Sequence, residues 1–355
     1  MTKTILYIGW VGFGNQGDDL CYDIFVQEMS RRAAQHSIKL DIKGLFPANF
    51  TEFSLARLAP DLVVLGAGSL FEPVYLKPLV LAQQESIPTA IWGSGYDSML
   101  PSPIQANLID PDSAFMIRSV VQNATLLGVR GPYTMEMLDA IGARSIHLDV
   151  VGDPGLLLEQ GGATCTLPEL GDATHSIIAV NWGTASNNVL GGNEKAVALD
   201  LRDALLPLMK DHRIVIYAVW SKDLVACKNL YSLIDHPNCI LLERVPTMEE
   251  LIALYQQCVL SVNMKLHANV FSAAMDCPFV CLAYRMKNYD FAQSLDWTDF
   301  TVFFSDHDRK ERIRTAIETL LKTTASHARR LREKKEPYVA KLSTLNDAIV
   351  SLLNN

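Results

Sequence analysis

Lys265 and His267 stand two residues apart in SVNMKLHANVFSAAM (261–275), a segment that opens like a buried strand and closes like a buried helix. A chain wanting only a packed core would place neither a cation nor an imidazole at that bend. A lysine ammonium is a point charge suited to phosphate. An imidazole at a helix N-terminus is pushed toward neutrality, and bound anions push it back toward imidazolium. That balance suits a general acid or base. Of eight histidines, only His267 keeps such company. A second cation, Arg130, lies in GVRGP (128–132), between an apolar strand and a Pro-started helix. Its guanidinium is expected to emerge at the rim of a cleft, where arginine grips carboxylate or phosphate through paired bonds. The competing use is an ion pair with Asp153 in VVGDPG; the anion contact is preferred for Arg130, and a loop-orienting role for Asp153.

Polar and small residues cluster at other strand ends. GWVGFGNQGDD (9–19) is a Gly-rich strand-to-helix turn, but its spacing is neither a dinucleotide fingerprint nor a P-loop. Asp18 and Asp19 would repel phosphate there; they suit the helix dipole and can hydrogen-bond a sugar. Asn15, after Gly14, serves a turn or a ligand equally well. GAGSLFE (66–72), with Gly68 and Ser69, offers a backbone surface or close helix–sheet packing, and WGSGYD (92–97) is similar. Asn181, Trp182, Trp220 and YRMK (284–287) also follow strands, and each can be packing alone.

The elements that must position these residues alternate short apolar runs with helix-period segments, the pattern of βα units on parallel sheets. TILYIG (4–9), IKLDIKGL (38–45), DLVVLGAG (61–68), PTAIWGSG (88–95) and ATLLGVRG (124–131) read as strands, with helices over 17–35 and 131–143. Residues 152–174 lose any period and are rich in Gly, Pro and Thr, which predicts a linker. The pattern restarts with strands at 175–182, 213–220, 239–245, 258–264 and 279–284 and helices at 194–210, 222–235 and 247–257. Thr247 and Glu250 form a capping box, and 183–193 is expected to be a mobile polar loop. From about 308 the chain turns helical and charged, and RRLREKKE reads as a solvated face. The fold class is therefore α/β, two Rossmann-like domains with parallel sheets facing a cleft and a C-terminal helical segment. Ligands in such sheets sit beyond the carboxyl ends of the strands.

Composition narrows the functions. The 355 residues suffice for two domains, each with a sizeable core. A formal charge of −8 argues against nucleic acid or an acidic membrane as partner, though not against a local cationic pocket. Seven scattered cysteines without a CxxC pair read as reduced core thiols, and no His/Asp/Glu cluster has metal-ligand spacing. The N-terminal apolar stretch is too short for a bilayer and runs into the Gly-rich turn, so a cytoplasmic protein is expected.

In order and spacing, GFGNQGDD, GAGSLF, GVRGPYT…LDAIG, VGDPGLLL, MKLHANVFSAA and AYRMKNYDFAQSLD resemble the polysaccharide pyruvyl transferase family, over roughly Gly9 to Leu295. The resemblance implies GT-B-type domains: 1–160 on the acceptor side and carrying Arg130, 172–307 on the donor side with Lys265 and His267, and helices over 308–355. It implies that pyruvate moves from phosphoenolpyruvate onto two hydroxyls of a sugar, as a ketal, in a cell-surface polysaccharide or its precursor. His267 is then the catalytic acid. Arg130, Lys265 and Leu266 are donor contacts, with Lys287 and Tyr284 weaker ones. Gly14, Asn15, Asp18, Gly68, Ser69, Asn181 and Trp182 serve the acceptor. The family's basic-Leu-His segment commonly starts with Arg; Lys265 keeps the charge but loses the planar fork. No cofactor or metal is expected, phosphoenolpyruvate being a co-substrate, and the acceptor saccharide is free or borne on a lipid or nucleotide. One alternative is a GT-B glycosyltransferase using a nucleotide sugar, which would need an acidic or aromatic grip on ribose and base in the second domain. Another is a non-catalytic sugar-binding protein.

Overall fold

The computed structural model describes residues 2–99, 102–161, 167–170, 175–186 and 193–354. Parts of the expected linker (162–166 and 171–174), Cys165, and residues 187–192 of the expected mobile loop lie outside them. The chain divides into two compact units. The first comprises Met1–Gly14, Asp18–Leu157 and Pro337–Asn355; the second comprises Asn15–Gly17 and Leu158–Glu336.

The first unit alternates strand and helix throughout. It runs β1 (Thr2–Ile8), α1 (Gln16–Gln35), β2 (Lys39–Leu45), α2 (Glu52–Leu58), β3 (Leu62–Leu65) and α3 (Pro73–Gln84). It continues with β4 (Thr89–Ser94), α4 (Pro111–Asn123), β5 (Leu126–Val129), α5 (Pro132–Ala140) and β6 (Leu148–Val150). Its six strands are all parallel, in the order β2-β1-β3-β4-β5-β6. The chain steps from β1 to β2 on one side and then to β3 on the other. That reversal makes a switch point between the carboxyl ends of β1 and β3, where such sheets bind ligands. Strands covered on both faces read as continuous apolar runs, and Leu62–Leu65 is buried at every position.

The second unit repeats the plan with β7 (Ser176–Asn181), α6 (Glu194–Leu205), β8 (His212–Tyr217), α7 (Leu224–Ile234), β9 (Cys239–Leu241) and α8 (Met248–Gln257). There follow β10 (Cys258–Asn263), α9 (Leu266–Ala274), β11 (Phe279–Ala283), α10 (Met286–Ser294), β12 (Thr301–Phe303), α11 (Arg309–Lys322) and α12 (Thr324–Asn354). Its parallel order is β12-β11-β10-β7-β8-β9, with the switch between β7 and β10. Thr247 caps α8 as expected: its hydroxyl accepts from the Glu250 N–H, and the Glu250 carboxylate accepts from the Thr247 N–H. The sequence pattern marks five strands per half, and each sheet has six. β6 and β12, three residues each, close the sheet edges and are too short to show a period.

Both units use α12, whose course divides at Pro337. Beyond it, Asn346 accepts from the Trp92 indole at 2.7 Å and Asp347 from the Arg32 guanidinium at 2.7 Å, both within the first unit. Trp92 is fully buried, so its N–H needs that partner. RRLREKKE is mostly the solvated face expected, with Arg329, Arg332, Glu333, Lys334 and Glu336 exposed. Leu331 is buried, however, and Lys335 turns inward to pair with Asp276 at 2.6 Å. Charge dominates the run's composition, while one side of the helix packs. Among the described residues no helix is long and apolar enough to cross a membrane. The described cysteines are free and mostly buried.

Candidate active site

In the second unit the chemistry gathers at the ends of β7 and β10, the switch point. β10 ends at Asn263, and Lys265 precedes the first turn of α9, which places His267 near the helix N-terminus. Every residue of α9 is buried. His267 is buried as well, its ring stacked against Phe271 with centroids 6.2 Å apart. The Gly-rich turn contributes Asn15–Gly17 to this unit. Gln16 N–H donates to Val219 O at 3.0 Å, and Asn15 bridges Trp220 beyond β8. Asn15 Oδ1 accepts from the Gly17 N–H at 3.3 Å, the turn-forming use. A Cβ on Gly17 would stand 2.0 Å from His267 Nδ1. Only glycine lets the turn lie on the imidazole, a role that the sequence pattern did not single out.

Among the described residues, Lys265 has two hydrogen-bonding partners. Its ammonium donates to Thr184 O at 3.0 Å and pairs with Asp223 Oδ1 at 3.1 Å. Asp223 is fully buried, and its Oδ1 also accepts from the Thr184 N–H at 2.9 Å. Burial pushes the Asp223 carboxyl above its ordinary pKa, although the Lys265 ammonium and the Thr184 N–H both pull it down. Gly183 makes the pair possible, since a Cβ there would meet Lys265 Cε at 2.3 Å and Asp223 Cγ at 2.6 Å. Neither Gly183 nor Asp223 was expected in the site. Lys287, in the first turn of α10, and Lys265 both lie over the Tyr284 ring, at 5.4 and 5.5 Å from its centroid. Leu266 is buried. Asn181 is fully buried: its Oδ1 accepts from the Lys265 N–H at 3.0 Å and its amide donates to Tyr217 O at 3.3 Å, so it supports the turn. Trp182 stacks on Phe304.

In the first unit Arg130 follows β5 and is wholly buried, where a rim position was expected. Its Nη1 donates to Gly68 O at 3.4 Å and Ser69 Oγ at 3.3 Å, and its Nη2 to Tyr96 O at 2.9 Å. The space is supplied by Gly95, where a Cβ would lie 2.3 Å from the guanidinium carbon. The guanidinium therefore ties together the ends of β3 and β4. Asp153, beyond β6, is fully buried and accepts from Gly155 N–H at 2.9 Å, the loop-orienting use expected of it. Burial raises its carboxyl pKa above the usual range, against the nearby Arg130 charge. Gly68 has φ +114, and Asp18 Oδ1 would lie 3.3 Å from a Cβ placed there. Asp19 accepts from Gly12 N–H at 3.0 Å and so holds the Gly-rich loop. Gly14 has φ +66 and open space around it.

Known proteins share this architecture. UDP-GlcNAc 2-epimerase from Neisseria meningitidis, bound to UDP-GlcNAc, has a TM-score of 0.63 at 12% identity, covering 99% of each chain. Alr3699/HepE of Anabaena, in complex with UDP and glucose, has a TM-score of 0.59 at 14% identity, again over 99% of each chain. The α,α-trehalose 6-phosphate synthase of Burkholderia multivorans has a TM-score of 0.60 at 11% identity, over 99% of this chain and 96% of that one. No curated protein matches the sequence. With two Rossmann-like units, each a six-stranded parallel sheet flanked by helices, the protein is of the GT-B-like class. Within it, the family model for polysaccharide pyruvyl transferase matches residues 12–286, and the chain belongs to that family.

Proposed function

We propose that the protein transfers pyruvate from phosphoenolpyruvate to two hydroxyls of a saccharide, forming a ketal and inorganic phosphate. The observation that carries this reading is in the second unit. Two ammonium groups, Lys265 and Lys287, share the Tyr284 ring, and an imidazole stands two residues along at a helix N-terminus. Such a group suits a small, multiply charged anion and a proton transfer.

Protonated His267 would give its proton to the methylene carbon of the donor, turning it into a methyl group. Oxocarbenium character then develops at the adjacent carbon, and one acceptor hydroxyl adds there, its proton returning to the imidazole. The carbon–oxygen bond to phosphate breaks, the second hydroxyl closes the ring, and its proton leaves with the phosphate. Lys265 and Lys287 would hold the donor's anionic groups. The Asp223 carboxylate fixes the Lys265 ammonium in place. Arg130, wholly buried on the carbonyls of Gly68 and Tyr96, supports the ends of β3 and β4. Leu266 contributes backbone contact. Asp18 and Ser69, near the switch point of the first unit, are the acceptor contacts we favour.

Phosphate release from phosphoenolpyruvate in the presence of saccharides, set against nucleotide release from UDP-sugars, tests the reading. Donor-dependent phosphate release and a rise in melting temperature with phosphoenolpyruvate are expected, because a ligand that binds only the folded chain stabilises it. Nucleotide release without phosphate release would instead establish a nucleotide-sugar enzyme. A steric probe sharpens the assignment of the cations. Gly183→Ala should displace the Lys265 ammonium and raise KM for phosphoenolpyruvate about tenfold, the loss of one charged hydrogen bond. Unchanged KM would remove Lys265 from the donor site.

A further inference from the structure

Trp10, Phe13, Phe46 and Tyr75 form an aromatic cluster that the reaction above does not use. Trp10 lies just past β1 and Phe46 just past β2. Trp10 and Phe13 stack with centroids 4.0 Å apart and planes at 20°. Phe46 meets both edge-on, at 4.9 and 5.4 Å, and Tyr75 stands 5.7 Å beyond it. A core cluster would be covered, yet Phe13 is 44% exposed and Trp10 and Phe46 are half-buried. The loop that presents them is built to stay low. Gly12 and Gly14 have φ of +88 and +66, a Cβ on either would meet nothing within 4 Å, and Asp19 pins the Gly12 N–H.

Carboxylates lie near the Tyr75 end of the cluster. Asp18 lies over Gly68, and both Glu72 and Asp18 act electrostatically on the Tyr75 hydroxyl, which burial already pushes toward its neutral form. Asp19 similarly helps raise the Asp23 carboxyl, after burial. Negative charge here disfavours a phosphate or an anionic lipid surface. It suits a neutral, hydroxyl-rich ligand whose C–H face lies on the rings while its hydroxyls donate to carboxylate oxygens. The position agrees, at the carboxyl ends of β1 and β2 and beside the switch point.

We infer that the exposed Trp10–Phe13 stack, with Phe46, is a saccharide-binding platform on which a pyranose ring of the acceptor stacks, Asp18 and Glu72 taking its hydroxyls. The inference deepens the pyruvyl-transfer reading and rests on it for calling that saccharide the acceptor. The test titrates the full chain with methyl glycosides of the common hexoses and N-acetylhexosamines, up to tens of millimolar, by ligand-observed NMR. It runs on wild type, Trp10→Ala, Phe13→Ala and Phe13→Leu, with the phosphoenolpyruvate thermal shift as a parallel readout. At least one glycoside should bind wild type. Both alanine variants should weaken it about tenfold, Phe13→Leu should not restore it, and the donor shift should persist. No glycoside binding, or binding unchanged in the alanine variants while the donor shift and phosphate release persist, overturns the platform and leaves the transfer reading intact. Ring-dependent glycoside binding without any donor shift does the reverse. Binding to phosphatidylglycerol vesicles that Phe13→Ala abolishes would make the patch a membrane contact and likewise overturn the inference.

Discussion

His267→Gln should lower turnover with phosphoenolpyruvate by about 10²- to 10⁴-fold, the range a positioned general acid contributes. Glutamine fills similar space and keeps a hydrogen-bond donor but cannot deliver a proton at neutral pH. The donor-induced thermal shift should therefore survive while kcat collapses, which separates chemistry from binding. The wild-type limb of kcat against pH that reports the acid should vanish in the variant. Retained turnover within about tenfold would show that another group protonates the methylene carbon. Gly17→Ala is a milder form of the same experiment, since its methyl group would intrude on Nδ1.

Asp276→Asn should cost about 3 kcal/mol of stability in the second unit, the lower end for breaking a buried pair. Asp276 ends α9 in the left-handed region, with φ +55, a conformation that asparagine also tolerates. The change thus removes charge and little else. Asp276 pairs with Lys335 at 2.6 Å and accepts at 2.9 Å from both Gln160 and Arg332. The Lys335 ammonium also donates to the last carbonyls of α9, Ala273 O and Ala274 O, where a positive charge suits the helix dipole. Burial alone would raise the Asp276 carboxyl pKa, but hydrogen bonds from Lys335, Gln160 and Arg332 outweigh it and hold the group below its usual value. A depressed carboxylate contributes stability that is complete above the unfolded value, about 4, and is lost as pH falls through the folded one. Denaturant unfolding should therefore show the wild-type advantage at neutral pH and its disappearance in acid. A loss under about 1 kcal/mol would reduce the network to an ordinary surface pair.

Much of this was legible in the sequence. The strands declared themselves because both faces of each sheet are covered, so apolar runs such as DLVVL and FVCLA stand out. The corner at Lys265 and His267 was visible because polar groups interrupt such a run. What stayed hidden depends on distant partners. Asp223 reads as an ordinary residue near a helix start in WSKDLV, and nothing nearby announces that Lys265 folds onto it. Gly17, Gly95 and Gly183 look like turn glycines, yet what requires them is a side chain from elsewhere filling the place of their missing Cβ. Arg130 was found as a cation at a strand end, but its complete burial on carbonyls could not be read from GVRGP. α3, opening at Pro73 and carrying Pro78 within it, escaped because proline argues against a helix interior.

The path of α12 bears on how the chain comes to its native state during synthesis. The first unit has all six of its strands before the second unit begins, yet its Trp92 indole and the Nε of Arg32 bond to the stretch after Pro337. A nascent chain that has just emerged through β6 holds a sheet in which the buried Trp92 indole still lacks its Asn346 acceptor. The ribosome must deliver the entire intervening domain before that gap is closed, so the customary order of N-terminal domain first is interrupted here.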